Sequence, residues 1–235
     1  MIEYYVPAVS TYAKDVDFLF DLIFWIVAFW FILCQGIFFW FLVKFRKKEG
    51  VAGQYIAGEI KSEKKWITYP HLAVLVFDVV IIVFAVKVWY DIKQDLPPAD
   101  ETVRVISQQW AWTFVHAGPD GRLGTDDDIS KVNELHIEVG KLYHYQLESK
   151  DVLHNFSVPV FRLKQDAIPG RVITGWFEAT ETGTWDIQCA EICGVGHGLM
   201  PARIYIETAE RNAAWMAENS KLSVAAVTSP QALEE

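Results

Sequence analysis

The residues best suited to chemistry crowd into one stretch, "CAEICGVGHGLM" at 189 to 200, which holds Cys189, Glu191, Cys193, His197 and Met200 in a chain with three cysteines. Outside the cytoplasm a CxxxC pair defaults to a disulfide. The neighbouring residues argue for a metal instead. His197 and Met200 follow Cys193 closely, and His154 stands upstream in "VLHNFSVP", at a strand edge. Two thiolates, two imidazoles and a thioether form a soft ligand set that favours copper, whereas a methionine has little use at a structural zinc. Gly194, Gly196 and Gly198 make the stretch a tight loop rather than a helix and let backbone carbonyls approach a metal. A mononuclear blue-copper site needs one cysteine with two histidines and an axial methionine, so a second cysteine suggests a second metal sharing both sulfurs.

Such a loop needs a rigid frame. After a polar linker at 91–101, "DIKQDLPPADE", come short β-type runs: "TVRVISQQWAWTFVH", "ELHIEVGKLYHYQLES", "VLHNFSVPVF", "VITGWFEA", "GTWDIQC" and "ARIYIET". Leu135, Ile137 and Val139 alternate with polar residues ahead of Gly140, the pattern of half-buried strands. Several short strands in about 115 residues imply a β-sandwich or barrel over 102–208. The stretch "GPDGRLGTDDDI", 118–129, reads as a long hairpin loop; its aspartates are of the type that holds calcium, but their spacing does not fit an EF-hand loop. The tail, 209–235, begins as an amphipathic helix and ends as disordered polar residues.

The remaining third of the chain is of a different kind. Residues 18–43, "FLFDLIFWIVAFWFILCQGIFFWFLV", carry one charge, Asp21, and exceed the ~20 residues that cross a bilayer. The run at 67–90, "ITYPHLAVLVFDVVIIVFAVKVWY", is also long enough, although it contains His71, Asp78 and Lys87. The first run is too long for a signal peptide and is followed by Lys44, Arg46, Lys47 and Lys48, a stop-transfer pattern. The loop 44–66 has seven Lys/Arg against three Glu, while segment 1–17 has only Lys14. The positive-inside bias therefore puts the loop in the cytoplasm and both termini outside. Asp78 is costly within a span and is expected to face a partner helix; Cys34 is expected to be a small buried apolar residue. From Asp91 onward there are 22 Asp/Glu and 12 Lys/Arg, or −10 formally, against −9 for the whole chain. An acidic external surface raises the encounter rate of basic partners and gives nucleic acid no attraction.

Taken with these features, "CAEICGVGHGLMP" resembles the CxExCGxxHxxMP motif of cytochrome c oxidase subunit II. "VLHNFSVPVFRLKQDAIPGR" is similar to that family's upstream histidine segment, "QQWAWTF" to its aromatic strand, and the two-helix hairpin to its architecture. The resemblance implies a cupredoxin-like Greek-key domain on a membrane hairpin, in a bacterial or organellar inner membrane, with the C-terminal domain on the periplasmic or outer side. It implies a dinuclear copper A centre with Cys189 and Cys193 as bridging thiolates, His154 and His197 as terminal ligands, Met200 as a weak thioether ligand and the Glu191 carbonyl as the last ligand. The Glu191 side chain matches a carboxylate that helps hold magnesium or manganese at the junction with subunit I.

Trp110 matches the tryptophan through which electrons arrive from a c-type cytochrome. The family usually has an aromatic where this chain has Ala111, so the docking patch differs locally. Glu63, in "ExxWxxxP" with Trp66 and Pro70, matches a glutamate at the cytoplasmic mouth of a proton pathway. The implied function is to take electrons from a reduced c-type cytochrome and pass them to haem in subunit I, where oxygen is reduced to water with proton translocation. Subunit III and membrane lipid are further implied partners. No CxxCH is present, so the haems belong to the partner subunit. Two other functions stand beside this one: a copper A subunit of a membrane nitric oxide reductase, whose ligands would be identical, and a membrane-anchored copper-delivery protein. A delivery site should be open and labile, unlike a rigid loop completed by a distant histidine.

Overall fold

The computed structural model describes residues 2–53 and 55–227; the expected disorder at the extreme C-terminus lies outside the described residues. The chain divides into a helical unit, 15–91, and a β unit formed by 92–235 together with 2–14.

The helical unit holds α1 (Ala13–Lys44) and α2 (Lys61–Trp89). Both are long and apolar enough to cross a membrane. They meet through aromatic side chains, Phe18 on Phe84 at 5.4 Å and Trp30 on Phe77 at 5.8 Å between ring centroids. α1 extends past the apolar run at both ends, and α2 begins six residues before it. Hydropathy reads the part suited to lipid, whereas hydrogen bonding carries a helix on through polar turns. Glu63 accordingly sits in the first turn of α2 rather than in a loop. There a carboxylate complements the helix dipole, and its Oε2 accepts the Gly58 N–H at 2.9 Å. Asp78 is exposed on α2. Cys34 is exposed on α1, contrary to the expectation that it is buried, because small size does not decide which face of an all-apolar helix turns inward. α2 runs on into a π-helical turn, Tyr90–Gln94, so the linker is partly helical.

The β unit is two five-stranded sheets. The first has the order β3-β2-β1-β5-β8, from β1 (Glu101–Gln108), β2 (Ala111–His116), β3 (Ile129–Val132), β5 (Leu142–Ser149) and β8 (Ile173–Glu178). The second has the order β4-β10-β9-β6-β7, from β4 (Glu134–Glu138), β6 (His154–Val158), β7 (Leu163–Ala167), β9 (Gly183–Cys189) and β10 (Pro201–Glu207). β1 runs parallel to β5 and β4 parallel to β10; the other pairs are antiparallel. Alternation sets the inner face: Tyr143, Tyr145 and Leu147 are buried while their neighbours are partly exposed. Phe156 on β6 meets Trp112 and Phe114 on β2 and Tyr145 on β5, so aromatic rings join the two sheets.

The β-type run at 102–116 holds two strands. β1 ends at Gln108, Gln109 and Trp110 make a tight turn, and β2 pairs back on β1 from Gln108 opposite Ala111. No Gly, Pro or Asn marks this turn; its backbone is held from outside by a carboxylate, described below. The aspartate-rich stretch is the expected hairpin loop, between β2 and β3. Its carboxylates serve the loop itself: Asp127 accepts from Asp120 N and Thr125 Oγ1, and Asp128 accepts from Gly124 N.

Two segments fasten to the sandwich from the chain ends. Val9 is fully buried, its N–H donating to Val160 O at 2.8 Å while its carbonyl accepts from Thr180 N at 2.9 Å. Helix α3 (Ala209–Val227) lies against β3 and β4 and seats Trp215 on His136.

Candidate metal centre

Three consecutive pieces of chain converge at one end of the second sheet. β9 delivers Cys189 as its last residue, a loop carries Glu191 and Cys193, and a 3-10 turn at His197–Leu199 leads through Met200 into β10. His154 arrives as the first residue of β6, which pairs antiparallel with β9. The 35-residue gap between His154 and Cys189 closes through that pairing.

The Sγ atoms of Cys189 and Cys193 are 3.7 Å apart, and both cysteines are free thiols. The Nδ1 of His154 lies 3.9 Å from Cys189 Sγ, and the Nδ1 of His197 lies 3.6 Å from Cys193 Sγ. Met200 Sδ is 4.0 Å from Cys193 Sγ, and the Glu191 carbonyl is 3.3 Å from Cys189 Sγ. Donor atoms of His154, Cys189 and Cys193 lie close enough together to hold a metal ion. Each imidazole faces a different sulfur, and a further donor stands beside each sulfur, a donor set suited to a soft cation. Burial, and then the neighbouring Cys189, push the Cys193 thiol well above its ordinary pKa. Two adjacent thiolates require a cation between them.

The surroundings fix these donors. His154 is fully buried, and its Nε2 meets Asp151 Oδ1 at 2.9 Å. That contact places the proton on Nε2 and leaves the Nδ1 lone pair for a metal. Burial alone would raise the Asp151 pKa, but hydrogen bonds from His154, Gln109 N and Val152 N outweigh it and hold the carboxyl below the usual range. Trp112 is buried, and its Nε1 donates to Met200 O at 3.3 Å. The Ala190 N–H donates to Asn155 O at 3.1 Å, tying the start of the loop to β6.

Trp110 is 39% exposed and lies on the cysteine loop, its Nε1 donating to Cys193 O at 3.3 Å. A Cβ on Gly196 would stand 2.4 Å from Trp110 Cδ2, so any side chain there must displace the indole or the loop. Gly194 has φ +121°, a conformation side chains disfavour. Around the loop Ile192, Val195 and Leu199 are all strongly exposed, an apolar rim about the centre.

Of the residues singled out in the sequence, His154, Cys189, Glu191, Cys193, His197, Met200 and Trp110 are gathered here. Glu63 is in the helical unit. Sequence reasoning missed Asp151 and Gln109. Asp151 has a weak signal, a carboxylate three residues before His154. Gln109 has none, since the turn that carries it is unmarked.

The sequence profile described as "Cytochrome C oxidase subunit II, periplasmic domain" matches residues 101–208, from the first residue of β1 to the end of the sandwich. The chain is 32% identical over 224 residues to the alternative cytochrome c oxidase subunit 2 of Bradyrhizobium diazoefficiens, covering 86% of this chain and 79% of the relative. It is 42% identical over 128 residues to cytochrome c oxidase subunit 2 of Thermostichus vulcanus, covering 54% of this chain and 36% of the relative. The crystal structure of the periplasmic domain of subunit II of cytochrome oxidase of Bradyrhizobium japonicum aligns with a TM-score of 0.49 at 31% identity, covering 55% of this chain and 99% of that domain. A two-sheet β unit preceded by two apolar helices, with matches along both, is the family's arrangement: the chain belongs to the cytochrome c oxidase subunit II family, as part of a haem-copper oxidase.

Proposed function

We propose that this chain takes electrons one at a time from a reduced c-type cytochrome and passes them to haem in the catalytic subunit of a haem-copper terminal oxidase. The observation that carries the reading is the pair of thiols 3.7 Å apart, each faced by the Nδ1 of a different histidine. In this reading the thiolates of Cys189 and Cys193, the imidazoles of His154 and His197, the Met200 thioether and the Glu191 carbonyl would hold the copper. A dinuclear copper centre held there would supply one-electron transfer with little geometric change. The protein's part is to hold six donors still while charge comes and goes. The second sheet anchors β6, β9 and β10, Asp151 orients His154, and the buried Trp112 indole fixes the Met200 backbone.

Trp110, exposed on one side and hydrogen-bonded to Cys193 O on the other, is the place where electrons enter. The donor's positive face is drawn by the −10 charge from Asp91 onward. Glu191 turns its carbonyl to the cysteines and offers its carboxylate to magnesium or manganese at the junction with the catalytic subunit. Glu63 serves at the cytoplasmic mouth of a proton pathway, half-buried at the start of α2. Both apolar helices cross the inner membrane, with the segment 45–60 between them in the cytoplasm and the catalytic subunit and a third subunit alongside. Hydrogen bonds from Val9, Ser10 and Thr11 to the β unit support this topology, since they require the N-terminal segment to lie on the same side as the sandwich.

The test is the electron paramagnetic resonance spectrum of the copper-loaded full chain. The expected pattern is that of one electron shared equally by two copper nuclei, abolished by Cys193→Ser. A signal from a single localised Cu(II), or zinc in place of copper, overturns the reading.

A further inference from the structure

Two side chains of the β1–β2 turn reach one carbonyl of the cysteine loop. Gln109 Nε2 donates to Cys193 O at 2.8 Å, and Trp110 Nε1 donates to the same oxygen at 3.3 Å. The backbone of Gln109 is engaged on the other side of the centre. Its N–H donates to Asp151 Oδ2 at 2.6 Å, and the second oxygen of that carboxylate meets His154 Nε2 at 2.9 Å. Gln109 is therefore one bond from the backbone that carries Cys193 and two bonds from the imidazole of His154.

We propose that Gln109 is a positioning residue of the metal centre, a bracket whose side-chain N–H fixes the cysteine loop while its backbone N–H fixes the carboxylate that orients His154. The proposal rests on the copper reading above for its consequence, and on the metal-free geometry for the bracket itself.

The loop needs such a restraint. Residues 190–196 belong to no strand, and the three glycines at 194, 196 and 198 leave the backbone little intrinsic stiffness. A Cβ placed on Gly194 would stand 2.9 Å from Gln109 Nε2 and 3.2 Å from Trp110 Cζ2, so the loop rests directly on these two side chains. The Gln109 amide thus sets the height of the loop above the β1–β2 turn. It also seats Trp110 on Gly196, because residues 109 and 110 share that turn. The amide N–H contributes partial positive charge close to Cys193, which favours the reduced centre. An acidic side chain at 109 should lower the reduction potential.

Two near-isosteric variants separate the hydrogen bond from the volume it fills. Gln109→Met keeps the bulk without a donor, and Gln109→Glu keeps the shape but offers only acceptor oxygens. One readout is the rate at which a chelator strips copper from the purified oxidase. The other is hydrogen exchange of the backbone amides of 190–198 in the metal-free full chain.

Both variants should lose copper about 2- to 10-fold faster and exchange faster over that loop by a similar factor, the scale of one net hydrogen bond. The reduction potential should fall in Gln109→Glu. Gln109→Met matching the unaltered protein in both readouts overturns the proposal, as does an effect confined to Gln109→Glu, which would mark charge repulsion alone. If the unaltered chain shows no delocalised copper signal, the copper reading fails by itself, and the exchange arm still decides on the bracket.

Discussion

His136 on β4 lies flat against Trp215 of α3, their ring centroids 4.1 Å apart and their planes 14° from parallel. Tyr205 of β10 stacks on His136 at 4.5 Å and 13°. The imidazole is thus the middle of a three-ring stack that fastens the C-terminal helix to the sandwich. His136 Nδ1 stands 3.4 Å from Glu207 Oε2 at the end of β10, and His116 meets Trp215 at 5.3 Å.

This arrangement makes helix docking sensitive to acid. Burial, aided by His136, pushes His116 down to about 3. Burial also lowers His136, against the opposing pull of Glu207 and Glu134. A histidine whose folded pKa is depressed favours the folded state fully above its ordinary value of ~6.5 and loses that contribution as pH falls toward the folded value. The melting temperature should therefore decline as pH drops from about 6.5 toward 3. Asp127, Asp151 and Glu210, also lowered, add to the decline at its acid end. Calorimetry across this range on the unaltered chain and on His116→Phe isolates the His116 part. The variant should show a flatter profile between pH ~6.5 and ~4.5, above the carboxylate range; identical slopes there would assign the loss in that window to His136 instead.

What the sequence made legible follows from chain distance. Cys189, Cys193, His197 and Met200 share one loop, so residue types and spacing were enough to bring them together. His154 needed the pairing of β6 with β9, which alternation alone does not specify; residue type made it a candidate, and the resemblance of its flanking residues tied it to the loop. Gln109 and Asp151 act through a turn with no turn-forming residue and a contact 42 positions apart in sequence. Neither composition nor periodicity carries that information. The start of α2 was misplaced for a different reason, since an apolar run marks where lipid can be and not where backbone hydrogen bonds begin.

Gly196 is held to glycine by the indole above it. With a Cβ at 2.4 Å from Trp110 Cδ2, Gly196→Ala must displace either the loop or the ring. Overpacking of this kind costs about 1–3 kcal/mol where neighbours cannot yield. Trp110 is partly exposed and can yield, so the chain should fold with a small drop in melting temperature. Electron uptake from the donor should fall more than copper content does. Stopped-flow oxidation of a reduced c-type cytochrome, set against copper per chain, measures both; unchanged uptake would show that the seat of Trp110 does not matter.

Asp151→Asn keeps the shape beside His154 and removes the charge. An amide presents an oxygen or an N–H to Nε2, and in the second case it favours the tautomer with its proton on Nδ1, toward the cysteines. Altering such an outer partner of a ligating histidine typically costs about 10- to 100-fold in metal affinity. Competition with a chelator of known strength should show a loss of that order. Gln109 N and Val152 N also lose their charged acceptor, so loop 149–153 should exchange hydrogen faster in the metal-free chain. Unaltered copper affinity would mean that packing against Trp112, 6.2 Å away between ring centroids, orients His154 without help.

Trp110→Phe separates the route into the centre from the centre itself. Phenylalanine fills most of the space over Gly196 but has no N–H for Cys193 O, which keeps its stronger bond from Gln109 at 2.8 Å. Copper content and the delocalised spectrum should therefore persist. The bimolecular rate with a reduced c-type cytochrome should fall by on the order of tenfold, the scale on which truncating an aromatic anchor weakens an interface. On the proposed function the acidic surface steers the donor at a distance and the indole acts on contact, so the variant should retain the salt dependence of the unaltered chain at a lower rate. A rate that stays the same at every ionic strength would move the point of electron entrance away from Trp110, to the exposed rim of Ile192, Val195 and Leu199.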